Sequence, residues 1–134
     1  MIAILALLGA ALLLSGCGGI PVNSYAGLSS DGSNVFLANQ SFVWSINPDS
    51  AAVNWKFPEK PDQAMSFYSA PVSADGWLYV SSYDNTLHAF NLENTNSANP
   101  NPTWVFSEHK GKGRMVGSPA VAEEIVVVPS ADEH

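Results

Sequence analysis

Ser69–Ser82, SAPVSADGWLYVSS, and Gly117–Ser130, GSPAVAEEIVVVPS, decide how the rest of the chain is read. They align without a gap at an offset of 48 residues. Pro71 falls on Pro119, Asp75-Gly76 on Glu123-Glu124, and Trp77-Leu78-Tyr79-Val80 on Ile125-Val126-Val127-Val128. An earlier copy lies about 44 residues upstream, where Ala26–Gly32 precedes Val35-Phe36-Leu37 as Ala70–Gly76 precedes Leu78-Tyr79-Val80. Further along, Val43-Trp44-Ser45-Ile46-Asn47 matches Leu87-His88-Ala89-Phe90-Asn91. The first two copies close on Trp-x-Phe, at Trp55-Lys56-Phe57 and Trp104-Val105-Phe106. Such a repeat governs the fold, because one supersecondary unit cannot bury its apolar faces alone and must stack on its neighbours.

Each copy has the chemistry of four short strands. The runs are β-branched and aromatic, and bounded by turn residues. Asp31-Gly32 and Asp75-Gly76 turn the first strand into the second, glycine taking positive φ at little cost. Tyr83-Asp84-Asn85 turns the second strand into the third, with Asn85 suited to the left-handed region. Asn94–Pro102, NTNSANPNP, is polar and proline-bearing, and is predicted to be an enlarged loop before the fourth strand. Four strands per unit at this period describe a β-propeller blade. Neighbouring blades cover both faces of such a sheet, which accounts for a strand such as Ile125–Val128 being apolar throughout.

The order Pro, Asp-Gly, apolar strand, Leu-x-Ala-Phe-Asn, Trp-x-Phe resembles the PQQ-like repeat of eight-bladed propellers. The resemblance implies an all-β fold of four-stranded antiparallel blades. About two and a half blades of eight are expected: residues 25–58, 67–107 and, in part, 115–134. It further implies that Trp55 and Trp104 are docking residues that pack between adjacent blades. The third copy stops at Ala131-Asp132-Glu133-His134, before a third strand and a Trp-x-Phe strand. The sequence therefore reads as an N-terminal fragment of a longer propeller.

Ahead of the repeats, Ile2–Leu14 is an uncharged run, shorter than the roughly 20 residues a bilayer-spanning helix needs. It fits the apolar region of a secretory signal peptide. Leu14-Ser15-Gly16-Cys17 resembles the lipobox of bacterial lipoproteins. That resemblance implies a signal peptide over residues 1–16, a diacylglycerol thioether and an acylated amine on Cys17, and a short linker over 17–24. No Lys or Arg precedes the apolar run. Either the α-amine supplies the usual positive charge, or the start lies upstream and Met1 is internal.

Composition sets limits on function. The chain has 134 residues and a net charge of −7; 46% of it is apolar and only 13% charged, against roughly a quarter in an average protein. That argues against disorder, and five Lys and Arg argue against a nucleic-acid partner. The single cysteine excludes an internal disulfide. His88, His109 and His134 have no shared metal-ligand spacing, and His88 stands where the preceding copy has Trp44. It is read as a packed strand residue. His109-Lys110-Gly111-Lys112-Gly113-Arg114 is the one cationic cluster; it lacks the order of a phosphate loop and reads as a solvated inter-blade loop or a docking spot for an acidic partner. Asp31, Asp75 and Glu123 recur at equivalent turns, which points to turn geometry rather than a catalytic pair.

Two functional readings follow from the resemblances. In the first, the chain is a lipid-anchored extracytoplasmic scaffold similar to BamB-type outer-membrane assembly lipoproteins, with no cofactor and a protein partner at the propeller loops. It sits at the periplasmic side of an outer membrane or at the cell surface. The alternative is a membrane-tethered quinoprotein oxidoreductase holding PQQ and calcium, and no residue here maps onto such a site. A carbohydrate- or peptide-binding propeller is a third possibility.

Overall fold

A computed structural model describes residues 25–107 and 113–131. The signal-peptide and lipobox residues, Cys17 included, fall outside it, as do His109, Lys110, Lys112 and His134. The first sheet consists of β1 (Gly27–Ser30), β2 (Val35–Asn39), β3 (Phe42–Ile46) and β4 (Val53–Phe57), paired antiparallel in chain order. The second repeats the plan with β5 (Val72–Ala74), β6 (Trp77–Ser82), β7 (Thr86–Asn91) and β8 (Trp104–Phe106). β9 (Ala120–Ala122) and β10 (Ile125–Val127) form a two-stranded antiparallel pair. No helix occurs among the described residues. The structure is a set of partial β-propeller blades, as the repeat predicts.

The core is the seam between the first two sheets. Phe36, Ala38, Val43, Trp55 and Phe57 reach it from the first sheet, and Leu78, Val80 and Phe90 from the second. Phe67, from the segment joining the sheets, fills the same cluster, and Met65 and Leu92 pack at its margin. The Trp55 ring stacks on Phe90 at 5.3 Å, and Phe57 meets Phe90 edge-on at 5.4 Å. Trp55 fits because its cross-strand neighbour is the small Ser45. Trp104 sits in the same way opposite Ala89 and 6.1 Å from Tyr79, on the face of the second sheet turned away from the first. The two positions differ in cover: Trp55 is 5% exposed, whereas Trp104 is 40% exposed beside a neighbour of two strands.

Close backbone approach and a hydroxyl chain hold the inner strands together. A Cβ at Gly27 would land on the Ser69 carbonyl and the Ala70 amide, so β1 packs there as only glycine allows. The Ser81 hydroxyl donates to the Gly117 carbonyl at 2.7 Å. Its single proton is thereby used, so the Ser69 hydroxyl, 2.9 Å away, is the donor to Ser81. This chain links the approach to β5, strand β6 and the approach to β9.

The seam sets the scale of the expected mutational effects. Replacing Trp55 by Ala should cost about 3–5 kcal/mol in urea unfolding, the usual range for a buried aromatic. Trp104→Ala, already partly in water, should cost about 1–2 kcal/mol. Equal losses at the two positions would contradict the assignment of the core to the first seam.

Candidate functional site

In an antiparallel meander, alternate turns lie at the same end of the sheet. The β1–β2, β3–β4, β5–β6, β7–β8 and β9–β10 connections therefore share one end. The first is built around Asp31. One carboxylate oxygen accepts the Ser33 and Asn34 amides at 2.8 and 2.7 Å, and the other accepts the Asn34 side-chain amide at 3.2 Å. The Ser30 hydroxyl donates to the Asn34 carbonyl at 2.8 Å and closes the loop. Gly32, at φ 91°, takes the left-handed position.

The second sheet reaches the same end by a tighter turn. Asp75 and Gly76 have φ of 49° and 78°, the two positive values that a two-residue type I′ hairpin requires. Gly76 is tied back through its carbonyl, which accepts the Leu92 amide at 2.8 Å. Asparagines shape the longer connections. Asn47 accepts the Asp49 and Ser50 amides, Asn91 that of Glu93, and Asn96 those of Ala98 and Asn99. The NTNSANPNP loop is thus a series of side-chain-capped turns rather than a loose tether.

These turns leave a cleft of about 360 Å³ between the first two sheets, lined by Ser30, Asp31, Ser73, Asp75 and Leu92 among others. Asp31 and Asp75, 44 positions apart in the sequence, are brought to its two walls. Among the described residues this end also carries Asp49, Glu93, Glu123 and Glu124, and no Lys or Arg. Lys56, Lys60 and Arg114 lie toward the opposite end, with Glu59, Asp62 and Asp84. The field is therefore one-sided, and the cleft favours cationic groups. Partial desolvation works to raise the Asp31 pKa, but the hydrogen bonds from Asn34 and Ser33 outweigh it and hold the carboxyl below its ordinary 3.8. Asp31 stays ionised through the whole physiological range.

His88 is remote from the cleft and buried in the seam, 5.6 Å from the Phe57 ring and 5.7 Å from Phe67. Thr86 donates its proton to Asp84 at 2.6 Å, so its oxygen can only accept from His88 Nε2, 2.9 Å away. His88 is then the Nε2–H tautomer, and its buried Nδ1 has no hydrogen-bond partner. Trp55 lies in the seam between the first two sheets, and Trp104 on the opposite face of the second sheet, 40% exposed. Glu123, at φ 52°, opens the β9–β10 turn. No group of three or more His, Cys, Asp or Glu able to hold a metal ion occurs among the described residues, and no helix among them is long and apolar enough to cross a membrane.

The recurrence of Asp at equivalent turns was the one sequence signal for this end. It correctly marks turn geometry. It does not say that two such turns would face one another across a cleft, since that depends on how the blades stack. An aromatic and cationic group at the other end, Tyr68, Tyr83 and Arg114, has no counterpart in the repeat signature. Its rings are 5.0 Å apart, and the Arg114 guanidinium lies 4.9 Å over Tyr83.

The architecture defines a class of fold, the β-propeller. Among solved structures the chain is similar to BamB from Moraxella catarrhalis, which superposes with a TM-score of 0.54 at 17% identity. The match covers 77% of this chain and 33% of BamB, so this chain spans about a third of that structure. No family model and no curated protein sequence matches the chain.

Asp31→Ala should lower stability by about 0.5–1 kcal/mol at neutral pH, water screening limiting the loss. A folded pKa below the unfolded value stabilises above about pH 4, and the benefit fades as pH falls through the folded pKa. The native and variant unfolding midpoints should therefore converge as pH falls below about 4 and through the folded pKa. A gap that persists undiminished there would show that the ionised carboxylate is not what holds the turn.

Proposed function

We propose that this chain belongs to a lipid-anchored, extracytoplasmic β-propeller that acts as a protein-interaction scaffold. The observation that carries the reading is the acidic cleft between two stacked blades, on a propeller fold like that of BamB. A scaffold needs surface groups held in place before the partner arrives, because ordering them on binding weakens the complex. The Asp31 turn has its amides and side chains already satisfied, and the Gly76 turn is tied to Leu92. The Asp31 carboxylate and the backbone that carries Asp75 are thus presented with little ordering left to do.

The partner's part that fits this end is a basic segment. A Lys or Arg side chain entering between Asp31 and Asp75 would meet two carboxylates, with no competing Lys or Arg among the described residues of this end. One-sided charge speeds encounter and fixes orientation, and both effects weaken as salt rises. Acyl chains on Cys17 would hold the scaffold at a membrane, since two or more such chains give stable anchoring.

A photo-reactive residue placed at Ser73 in the full chain tests the docking reading in cells. Adducts with a partner protein are expected, reduced several-fold by Asp31→Asn with Asp75→Asn and by about 0.5 M salt. Incorporation of a palmitate analogue, lost in Cys17→Ser, tests the anchor. Adducts indifferent to both charge and salt would overturn the cleft as the docking site. An unlabelled native chain would overturn the lipoprotein.

A further inference from the structure

We propose that His88 makes the joint between the first two blades an acid-sensitive latch, closed while the imidazole is neutral and opened by its protonation. The position is unusual within the repeat. The equivalent residue of the first sheet is Trp44, an aromatic that makes no demand for a proton, and the second sheet replaces it with the one histidine of the described residues. His88 lies in the interface, not beside it. Phe57 reaches it from β4 and Phe67 from the segment joining the sheets, both from the first blade's side of the seam.

The hydrogen-bond geometry fixes what protonation does. Nε2–H is already given to Thr86, whose own proton goes to Asp84. A second proton must therefore go to Nδ1, which is buried and has no acceptor in reach. Protonation would place a positive charge and an unpaired donor against two phenyl rings. Relief nearby is partial, because the facing groups from β4 and the joining segment are the uncharged rings of Phe57 and Phe67, which offer the new N–H no acceptor lone pair. Asp84, at the β6–β7 turn, is the one carboxylate acting on the ring; its charge favours the cation, but its hydrogen bond goes to Thr86 and leaves Nδ1 without an acceptor, and burial outweighs it. The available relief is to separate the blades and let water reach Nδ1.

The direction agrees with the electrostatics of the site. Burial lowers the His88 pKa from 6.5 to about 4, with the Asp84 charge opposing that fall. Because the closed form binds the proton less well than the open form, closure is fully favoured above about pH 6.5. It weakens as pH falls toward 4, and levels off below that. Across that window the open population should rise up to about ten-fold for each pH unit.

Hydrogen exchange of the full chain, resolved by peptide and corrected for intrinsic rates, tests this. Segments 53–57 and 86–91 should lose protection between pH 6.5 and 4 in the native chain. In His88→Leu, of similar volume and without a titrating group, their protection should be flat over that window. An identical acid profile in the variant would overturn the latch. If His88→Leu does not fold, the NMR titration of the native imidazole decides, with His109 and His134 assigned by replacement. A midpoint well below 6.5 for His88 supports the latch, and an ordinary midpoint overturns it.

Discussion

The stack of Trp55 on Phe90, with Phe57 at the edge of the same ring, is the contact from which the rest of the structure follows. A four-stranded sheet with apolar residues on both faces is not a stable object in water. The first sheet becomes one only when Phe36, Val43, Trp55 and Phe57 are covered by Leu78, Val80 and Phe90. Aromatic rings dominate such an interface because each removes a large area from water and packs in specific orientations. The small residues Ser45 and Ala89 opposite the two tryptophans are part of the same design, since a larger side chain there would occupy the indole's place.

Blade stacking also decides what the ends of the sheets present. The hydrogen bonds that satisfy the Asp31 and Asp75 turns lie within their own sheets, but the cleft between the turns exists only because the seam sets the two sheets side by side. Charge is then sorted by topology. The residues that turn the chain at one end are carboxylates and asparagines, suited to turn geometry, whereas the described cations lie toward the other end. An acidic surface thus arises from residues whose first role is conformational. His88 shows the converse. It is a titratable group within the seam itself, where its protonation state bears on the packing that everything else uses.

Much of this was legible in the sequence because the responsible forces are local and periodic. Asp75-Gly76 adopts the hairpin its residue types call for, Asn85 takes a positive φ of 66° in the three-residue turn before β7, and Trp-x-Phe marks the fourth strand in both complete sheets. The less legible features depend on contacts between repeats. Trp55 and Trp104 carry the same local signature, yet one is buried and the other 40% exposed, a difference set by the neighbouring sheet. The register shift that leaves Asn54 unpaired between Val53 and Trp55 gives no sign in composition. Asn54 there reaches Asn34 at 3.0 Å and Ser45 at 3.3 Å, contacts that no periodicity could announce. The partnerless Nδ1 of His88 is visible only in the packed seam, and that it is the unprotonated nitrogen follows once the Thr86 proton has been assigned to Asp84.

A double-mutant cycle across the seam tests the central claim most directly. Trp55→Ala, Phe90→Ala and the double variant would be unfolded in urea beside the native chain. If the two rings act as one contact between blades, the double variant should lose less than the sum of the single losses, with a coupling of about 1 kcal/mol or more. Additive losses, with a coupling near zero, would mean that the residues are buried independently, and the account of a structure organised by this seam would be wrong.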